Sequence, residues 1–387
     1  MAMEKTSKDP NETPIIKAKS NALIRTITAI SLLSYFAIVV YVGVPLILLN
    51  ALIIQIKCFD EVITIAYNMK KIPDIPCFRT LNWYFVIVAN YFFSGETFAQ
   101  HFEPYVRKYY ALHVLVAYHR FFSFCWYFAG VIWFLSMLKQ KLIQEQFSLF
   151  FWTHFLIIII SLQTYSLIQT MFEGLIWVVM SICLITLNDI FAYIFGKFFG
   201  KTPLILLSPK KTVEGYILGG ASTFVFGAVL AYIFCHLQFL VCSPNYVGDS
   251  FVLDTNCTRS YLFKVREYSI GNTGYFFSVY PFILHSLSMS VFASIIAPFG
   301  GFCASGFKRA VKVKDFGNLL PGHGGFMDRF DCLFLMATFV NAYINAFIRS
   351  PDVDKIFQRI LSLGEEGQIE FYHLLKGSLN DEGILNG

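Results

Sequence analysis

Apolar residues in this chain neither alternate nor keep to one helical stripe; they run together. Such runs lie at 28–44, 46–67, 81–99, 121–138, 148–168, 172–195, 217–240, 281–304 and 331–348. Each matches the roughly 17–25 residues a helix needs to cross a bilayer, and an unbroken run has no polar face to show water. The pattern predicts an all-α, polytopic membrane protein of about nine transmembrane helices. Run 46–67 differs from the rest, because Lys57, Asp60 and Glu61 interrupt it.

Polar sequence fills the remainder. Residues 1–27 read as a disordered cytosolic tail, 28–348 as one membrane domain with its chemistry in 172–348, and 349–387 as a C-terminal tail. No small-residue cleavage site follows the first run, so that run is expected to stay in the mature protein. Composition agrees: 56% of residues are hydrophobic and 14% charged, against about 25% charged in soluble domains. Nothing in the pattern points to nucleic acid.

Charge in the short loops sets orientation. Lys17, Lys19 and Arg25, Lys70, Lys71 and Arg79, Lys139 and Lys141, Lys201, Lys210 and Lys211, and the cluster Lys308 to Lys314 share one side if the N-terminus is cytosolic. Arg107, Lys108 and Arg120 oppose that arrangement. Nine spans place the tail 349–387 in the lumen, and one misread span reverses it. The nine cysteines form no CxxC pair and no Cys/His spacing suited to zinc. Cys242 and Cys257 lie in the polar segment 241–280, expected outside the cytosol, where a disulfide and two free thiols are both open. Asn256-Cys257-Thr258 is a glycosylation sequon there.

The stretch "GKFFGKT", 196–202, imitates a phosphate-binding P-loop but has one residue too few between Gly196 and Gly200, follows a span rather than a strand, and runs into Pro203. Its lysines remain as a cationic cluster at the membrane surface. Asp189 is costlier to place, at about 2.5–3.5 kcal/mol for an ionisable group within a span. Helical spacing puts Tyr193 and Lys197 on its face. An internal Asp189–Lys197 contact and a functional carboxylate are both open.

The densest polar stretch is "SGFKRAVKVKDFGNLLPGHGGFMDRFDC", 305–332. Lys308, Arg309, Lys312 and Lys314 make a cationic field; Pro321, Gly322, Gly324 and Gly325 predict a tight turn with N–H groups facing a ligand. A helix follows, whose N-terminal dipole favours anions, with Asp328 and Asp331 neighbours at i and i+3. Paired carboxylates among cations suit Mg²⁺, which binds one or two carboxylates together with substrate phosphates. The membrane setting makes the other substrate a lipid.

These residues resemble the signature of the CDP-diacylglycerol synthases, or phosphatidate cytidylyltransferases. Ser305, the pair Lys308-Arg309, Lys314-Asp315, His323-Gly324-Gly325 and Asp328-Arg329-x-Asp331 stand at that family's spacing, and the likeness continues through "NDIFAYIFGKFFGKTPLILLSPKKTVEG", 188–215. "IQIKCFDEVITIAYN" and "PFGGFCASGFKRA" look like the animal form. Val213 departs from it, since relatives often carry a large apolar residue such as Trp at this packing position. The resemblance implies the reaction of CTP with phosphatidate to give CDP-diacylglycerol and pyrophosphate, with Mg²⁺, in the endoplasmic reticulum membrane with the site facing the cytosol, by a homodimer. Residues and resemblance together give catalytic roles to Lys308, Arg309, Lys314, Asp315, His323 and Arg329. Substrate binding falls to Ser208, Lys211, Thr212, Tyr193, Ser305, Gly324 and Gly325, and the metal to Asp328, Asp331 and Asp189. His323 either donates to a phosphate or fixes the turn. The alternatives are a CTP-dependent polyprenol kinase, which would release CDP, and a lipid or ion transporter, which would not need the paired aspartates.

Overall fold

Long unbroken apolar runs fold as helix because a helix satisfies its own backbone polar groups where no water can. A computed structural model describes residues 14–70, 77–101, 106, 108–205, 208–242, 245–247, 250–252, 257, 259–269, 276–317, 324–349, 356–357, 360–361, 363–381 and 383. The first helices are α1 (Pro14–Val42), α2 (Val44–Lys70) and α3 (Phe78–His101). Helix α1 begins well before the apolar run, so residues 14–27 are helical where the sequence suggests a tail; a proline is compatible with the first turn, where its missing N–H is not needed. Gly43, at φ 83°, separates α1 from α2.

Next come α4 (Tyr110–Ala117) and α5 (His119–Ser136), bent 77° from one another. Helix α6 (Ile143–Leu156) continues through a π turn, Ile157–Ser161, into α7 (Leu162–Glu173), and α8 (Leu175–Phe199) follows. A hairpin of β1 (Pro203–Ile205) and β2 (Ser208–Thr212) leads to α9 (Val213–His236). Two further hairpins, β3 (Asn245–Val247) with β4 (Ser250–Val252) and β5 (Arg266–Ser269) with β6 (Phe276–Val279), occupy the polar segment. There Cys242 and Cys257 are joined as a disulfide; Asn256 and Thr258 of the sequon lie outside the described residues. Then come α10 (Pro281–Ile295), α11 (Pro298–Ala310), α12 (Met327–Phe347) and α13 (Glu365–Asp381).

The protein is a mostly helical, polytopic membrane protein. Among the described residues, five helical stretches are long and apolar enough to cross a bilayer: Gln140–Glu173, Leu175–Phe199, Val213–His236, Pro281–Ala310 and Met327–Phe347. Counting the bent pair α4–α5 as one span makes six. This is fewer than the nine expected, and the helices α1, α2 and α3 make the difference; in α2 the charges of Lys57, Asp60 and Glu61 break the apolar run.

The chain divides into two compact units, residues 1–341 and 342–387. In the second, α13 begins with Glu365 and Glu366, which complement the positive end of its dipole. In the first, α9 buries Gly215, Gly219, Thr223, Gly227, Ala231 and Cys235, one small residue every turn. Small residues let helix backbones approach closely in a membrane. A Cβ on Gly219 would stand 2.8 Å from the Ala192 nitrogen of α8, so the two backbones are in direct contact. The N-terminal helices pack by bulk instead: Phe85 of α3 meets Tyr127 of α5 and Phe150 and His154 of α6, with ring centroids 4.8–5.7 Å apart. The buried cluster containing Phe85 extends to Phe316 and Phe334.

Candidate active site

The 305–332 stretch is organised by how α11 ends. Val313 N–H donates to the Lys308 carbonyl at 3.0 Å and Lys312 N–H to the Arg309 carbonyl at 3.2 Å. These are the two bonds of a Schellman cap, which needs a left-handed residue after the helix. Lys312 supplies it at φ 56°, where glycine is usual. The cap fixes the backbone of Lys308 and Arg309, and their side chains then part: Arg309 is exposed, while Lys308 turns inward.

Lys308 Nζ pairs with Asp328 Oδ1 at 2.5 Å and lies 5.4 Å from the Phe316 ring centroid. Asp328 Oδ2 accepts the N–H groups of Phe316 at 2.9 Å and Gly325 at 3.1 Å. Both oxygens of Asp328 are thus engaged in holding the loop to α12. Gly325 N–H, expected to face a ligand, donates to Asp328 here. The start of α12 is likewise occupied: Glu61 of α2 accepts from Phe326 and Met327 N–H, each at 3.0 Å. The anion expected at this helix end is the protein's own Glu61. Gly317 and Gly325 leave the space it fills; a Cβ on Gly325 would lie 2.6 Å from Glu61 Oε2.

A second group forms from α8, β2, α11 and α12. Asp331 Oδ1 accepts the Cys332 N–H at 2.7 Å. A Cβ on Gly301 would stand 3.6 Å from Asp331 Oδ2 and 3.7 Å from Lys211 Nζ, so both groups border one small space kept open by that glycine. Lys211 Nζ is 4.6 Å from the Phe302 ring centroid. Asp189 and Asp331 feel each other's charge; Lys211 acts on both, and Arg329 acts on Asp189. Asp331 is half-buried, and Asp189 and Arg329 are exposed. Among the described residues no three His, Cys, Asp or Glu side chains form a metal cage. Two carboxylates beside Lys211 fit instead a hard cation that takes its other ligands from phosphate and water.

Thr212 Oγ1 caps α9 by accepting the Gly215 N–H at 3.2 Å. Glu214 accepts from the Lys201 N–H at 3.1 Å and the Thr202 hydroxyl at 2.8 Å, pinning the basic loop. Tyr193 is 70% exposed. Lys197 is exposed, and no ion pair joins it to Asp189 among the described residues. Lys314 and Asp315 are exposed, and Ser208 and Ser305 are half-buried. Gly324 has φ 85°, as a tight turn demands, and Asp315 packs beside it. Pro321, Gly322 and His323 lie outside the described residues. Sequence reasoning missed Glu61 and Glu214. Glu61 carried a signal all the same, because an acid within an apolar run is costly unless it has a partner.

The fold and these groups define a class: a polytopic helical membrane protein that gathers carboxylates, lysines and an arginine at the ends of its membrane helices. Residues 23–347 match the Cytidylyltransferase family. The chain is 47% identical over 371 residues to phosphatidate cytidylyltransferase 1 of Rattus norvegicus, covering 94% of this chain and 80% of that protein. It is 46% identical to phosphatidate cytidylyltransferase 2 of Mus musculus, over 94% of this chain and 84% of that one. It is 42% identical to phosphatidate cytidylyltransferase of Caenorhabditis elegans, over 94% of this chain and 80% of that one. The chain belongs to the cytidylyltransferase family.

Proposed function

We propose that the protein transfers the cytidylyl group of CTP to phosphatidate, forming CDP-diacylglycerol and pyrophosphate. The observation that carries this reading is Asp331 and Lys211 side by side at Gly301, with Asp189 within electrostatic reach of both and Arg329 acting on Asp189. An oxygen of the lipid phosphate attacks the α-phosphorus of CTP, the bond from that phosphorus to the bridging oxygen breaks, and pyrophosphate leaves with the electron pair. The nucleophile is already an anion, so the protein's task is to orient two phosphates and offset their repulsion. Lys211 and Arg329 are placed to meet phosphate oxygens, with Arg309 and Lys314 exposed on the adjoining loop. Lys308 acts through its pair with Asp328, keeping that loop against α12. Mg²⁺ at Asp189 and Asp331 would supply charge neutralisation at the triphosphate. Asp328, expected as a ligand, is a positioning residue in this reading because its oxygens already have partners.

Adding α1, α2 and α3 to the six candidate spans gives nine, with the 203–212 hairpin and the 311–326 loop together on the cytosolic side where CTP is found. The Cys242–Cys257 disulfide supports an oxidising compartment for the opposite loop. Endoplasmic reticulum membrane and a homodimer complete the reading. Purified protein given labelled CTP, phosphatidate and Mg²⁺ should yield CDP-diacylglycerol and equimolar pyrophosphate. Transfer of the CTP γ-phosphate to a prenol with release of CDP would make it a lipid kinase, and turnover of neither substrate would leave a transporter.

A further inference from the structure

Away from this site, α3, α5, α6 and the π turn line a half-open pocket of about 400 Å³, within the roughly 300–1,000 Å³ of small-molecule pockets. Its wall is apolar and largely aromatic, including Phe85, Phe92, Phe93, Phe124 and Ile158. Arg120, Ser123, Tyr127 and His154 break that wall with polar groups, and two of them stand out. Ser123 is 3% exposed, and its Oγ has no hydrogen-bond partner. His154 Nε2 is buried and equally unpartnered, while its Nδ1 lies 2.8 Å from the Phe150 carbonyl oxygen. A carbonyl can only accept, so Nδ1 holds the hydrogen and the neutral ring offers a lone pair at Nε2. Buried polar atoms are ordinarily paired; here one donor-acceptor and one acceptor border the same cavity. The π turn Ile157–Ser161 brings Ile157 and Ile158 to its wall, and such bulges recur at functional sites.

We propose that this cavity binds an apolar chain that ends in a hydroxyl. A hydroxyl can accept from the Ser123 Oγ–H and donate to His154 Nε2, satisfying both groups, while the hydrocarbon fills the aromatic wall. An ester carbonyl has no hydrogen for Nε2, and a carboxylate would set its charge against that lone pair, while Arg120 of the wall is already partnered. A long-chain alcohol and a diacylglycerol share the required chemistry.

The test uses the full-length protein in detergent and a hexadecanol carrying a photoactivatable group in its chain. Crosslinked peptides should cover 85–93, 120–127 and 154–158. Hexadecanol should compete about tenfold better than methyl hexadecanoate or hexadecanoate, the scale of one or two hydrogen bonds. Ser123→Ala and His154→Phe should each shrink that preference. Competition by diacylglycerol at equal strength makes the natural ligand a glycerolipid; weak competition makes it a single-chain alcohol. Crosslinking elsewhere, equal competition by the methyl ester, or stronger competition by the fatty acid would overturn the proposal. The competition series on the unmodified protein decides it even if a variant fails to fold.

Discussion

Helices α8 and α9 meet backbone to backbone, whereas α3, α5 and α6 meet through large side chains, some of them seated on Gly95 and Gly130. Across the first seam Gly215 and Gly219 bring backbone against backbone. Across the second, rings pack around Phe85 and leave a cavity. The difference has a functional consequence. Backbone contact admits little adjustment, so it fixes Asp189 on α8 relative to Lys211 just before α9. Aromatic packing tolerates gaps, and that suits a region that accommodates a ligand.

The largest expected effect comes from putting bulk into the glycine seam. Gly219→Leu would drive a side chain into the Ala192 backbone, which cannot give. We expect loss of a monodisperse folded protein and of all turnover. Phe150→Leu on the aromatic side should cost about 1–3 kcal/mol, since it removes a ring but keeps most of the bulk. Size-exclusion profiles and melting curves of the two variants compare the seams directly; equal damage would erase the distinction.

The next effect separates two aspartates three residues apart. Asp331→Asn should lower turnover by roughly a hundredfold or more with the melting temperature unchanged. Asp328→Asn should instead destabilise, because it leaves Lys308 largely buried without its charge partner, a loss of about 3–5 kcal/mol. Activity should fall in proportion to unfolding. A stable, inactive Asp328→Asn enzyme would return that residue to the metal.

That pair also marks what the sequence could reveal. The helical runs, the broken P-loop imitation and the polar residues of 305–332 are legible because each leaves a local pattern. Asp189 was legible as an acid in an apolar run, and Glu61 carried the same mark. What spacing alone cannot supply is the partner. Asp328 and Asp331 lie one turn apart on α12, yet one faces Lys308 and the loop while the other faces Lys211 and α8. Tertiary packing from α2 and α11 decides between them. In α2 the span count differed for a related reason: an acid that reduces its apolar character is the one that caps α12.

A smaller effect follows at Glu61. Glu61→Gln keeps the shape but replaces one acceptor oxygen with an amide that cannot accept from an N–H. One of the two α12 N–H bonds should be lost, costing about 1–3 kcal/mol. Activity should fall less than for Asp331→Asn, because Glu61 holds the turn rather than the substrate. Thermal melts alongside turnover test this order; a fully inactive yet stable variant would place Glu61 among the substrate ligands.

The smallest expected effect concerns the cap of α11. Lys312 adopts the left-handed conformation that closes the α11 cap, and its side chain is exposed. Lys312→Gly removes the steric cost of that backbone but adds freedom to the unfolded chain, so the two largely cancel. Stability should change by about 1 kcal/mol or less, with turnover nearly unchanged. Lys312→Val keeps neither the glycine's freedom nor an unbranched side chain, and should lose more stability than Lys312→Gly. Melting temperatures of the pair give the sign, and turnover gives the role. If Lys312→Gly keeps its stability but loses most of its activity, the lysine charge touches substrate, and the cap is only the means of presenting it.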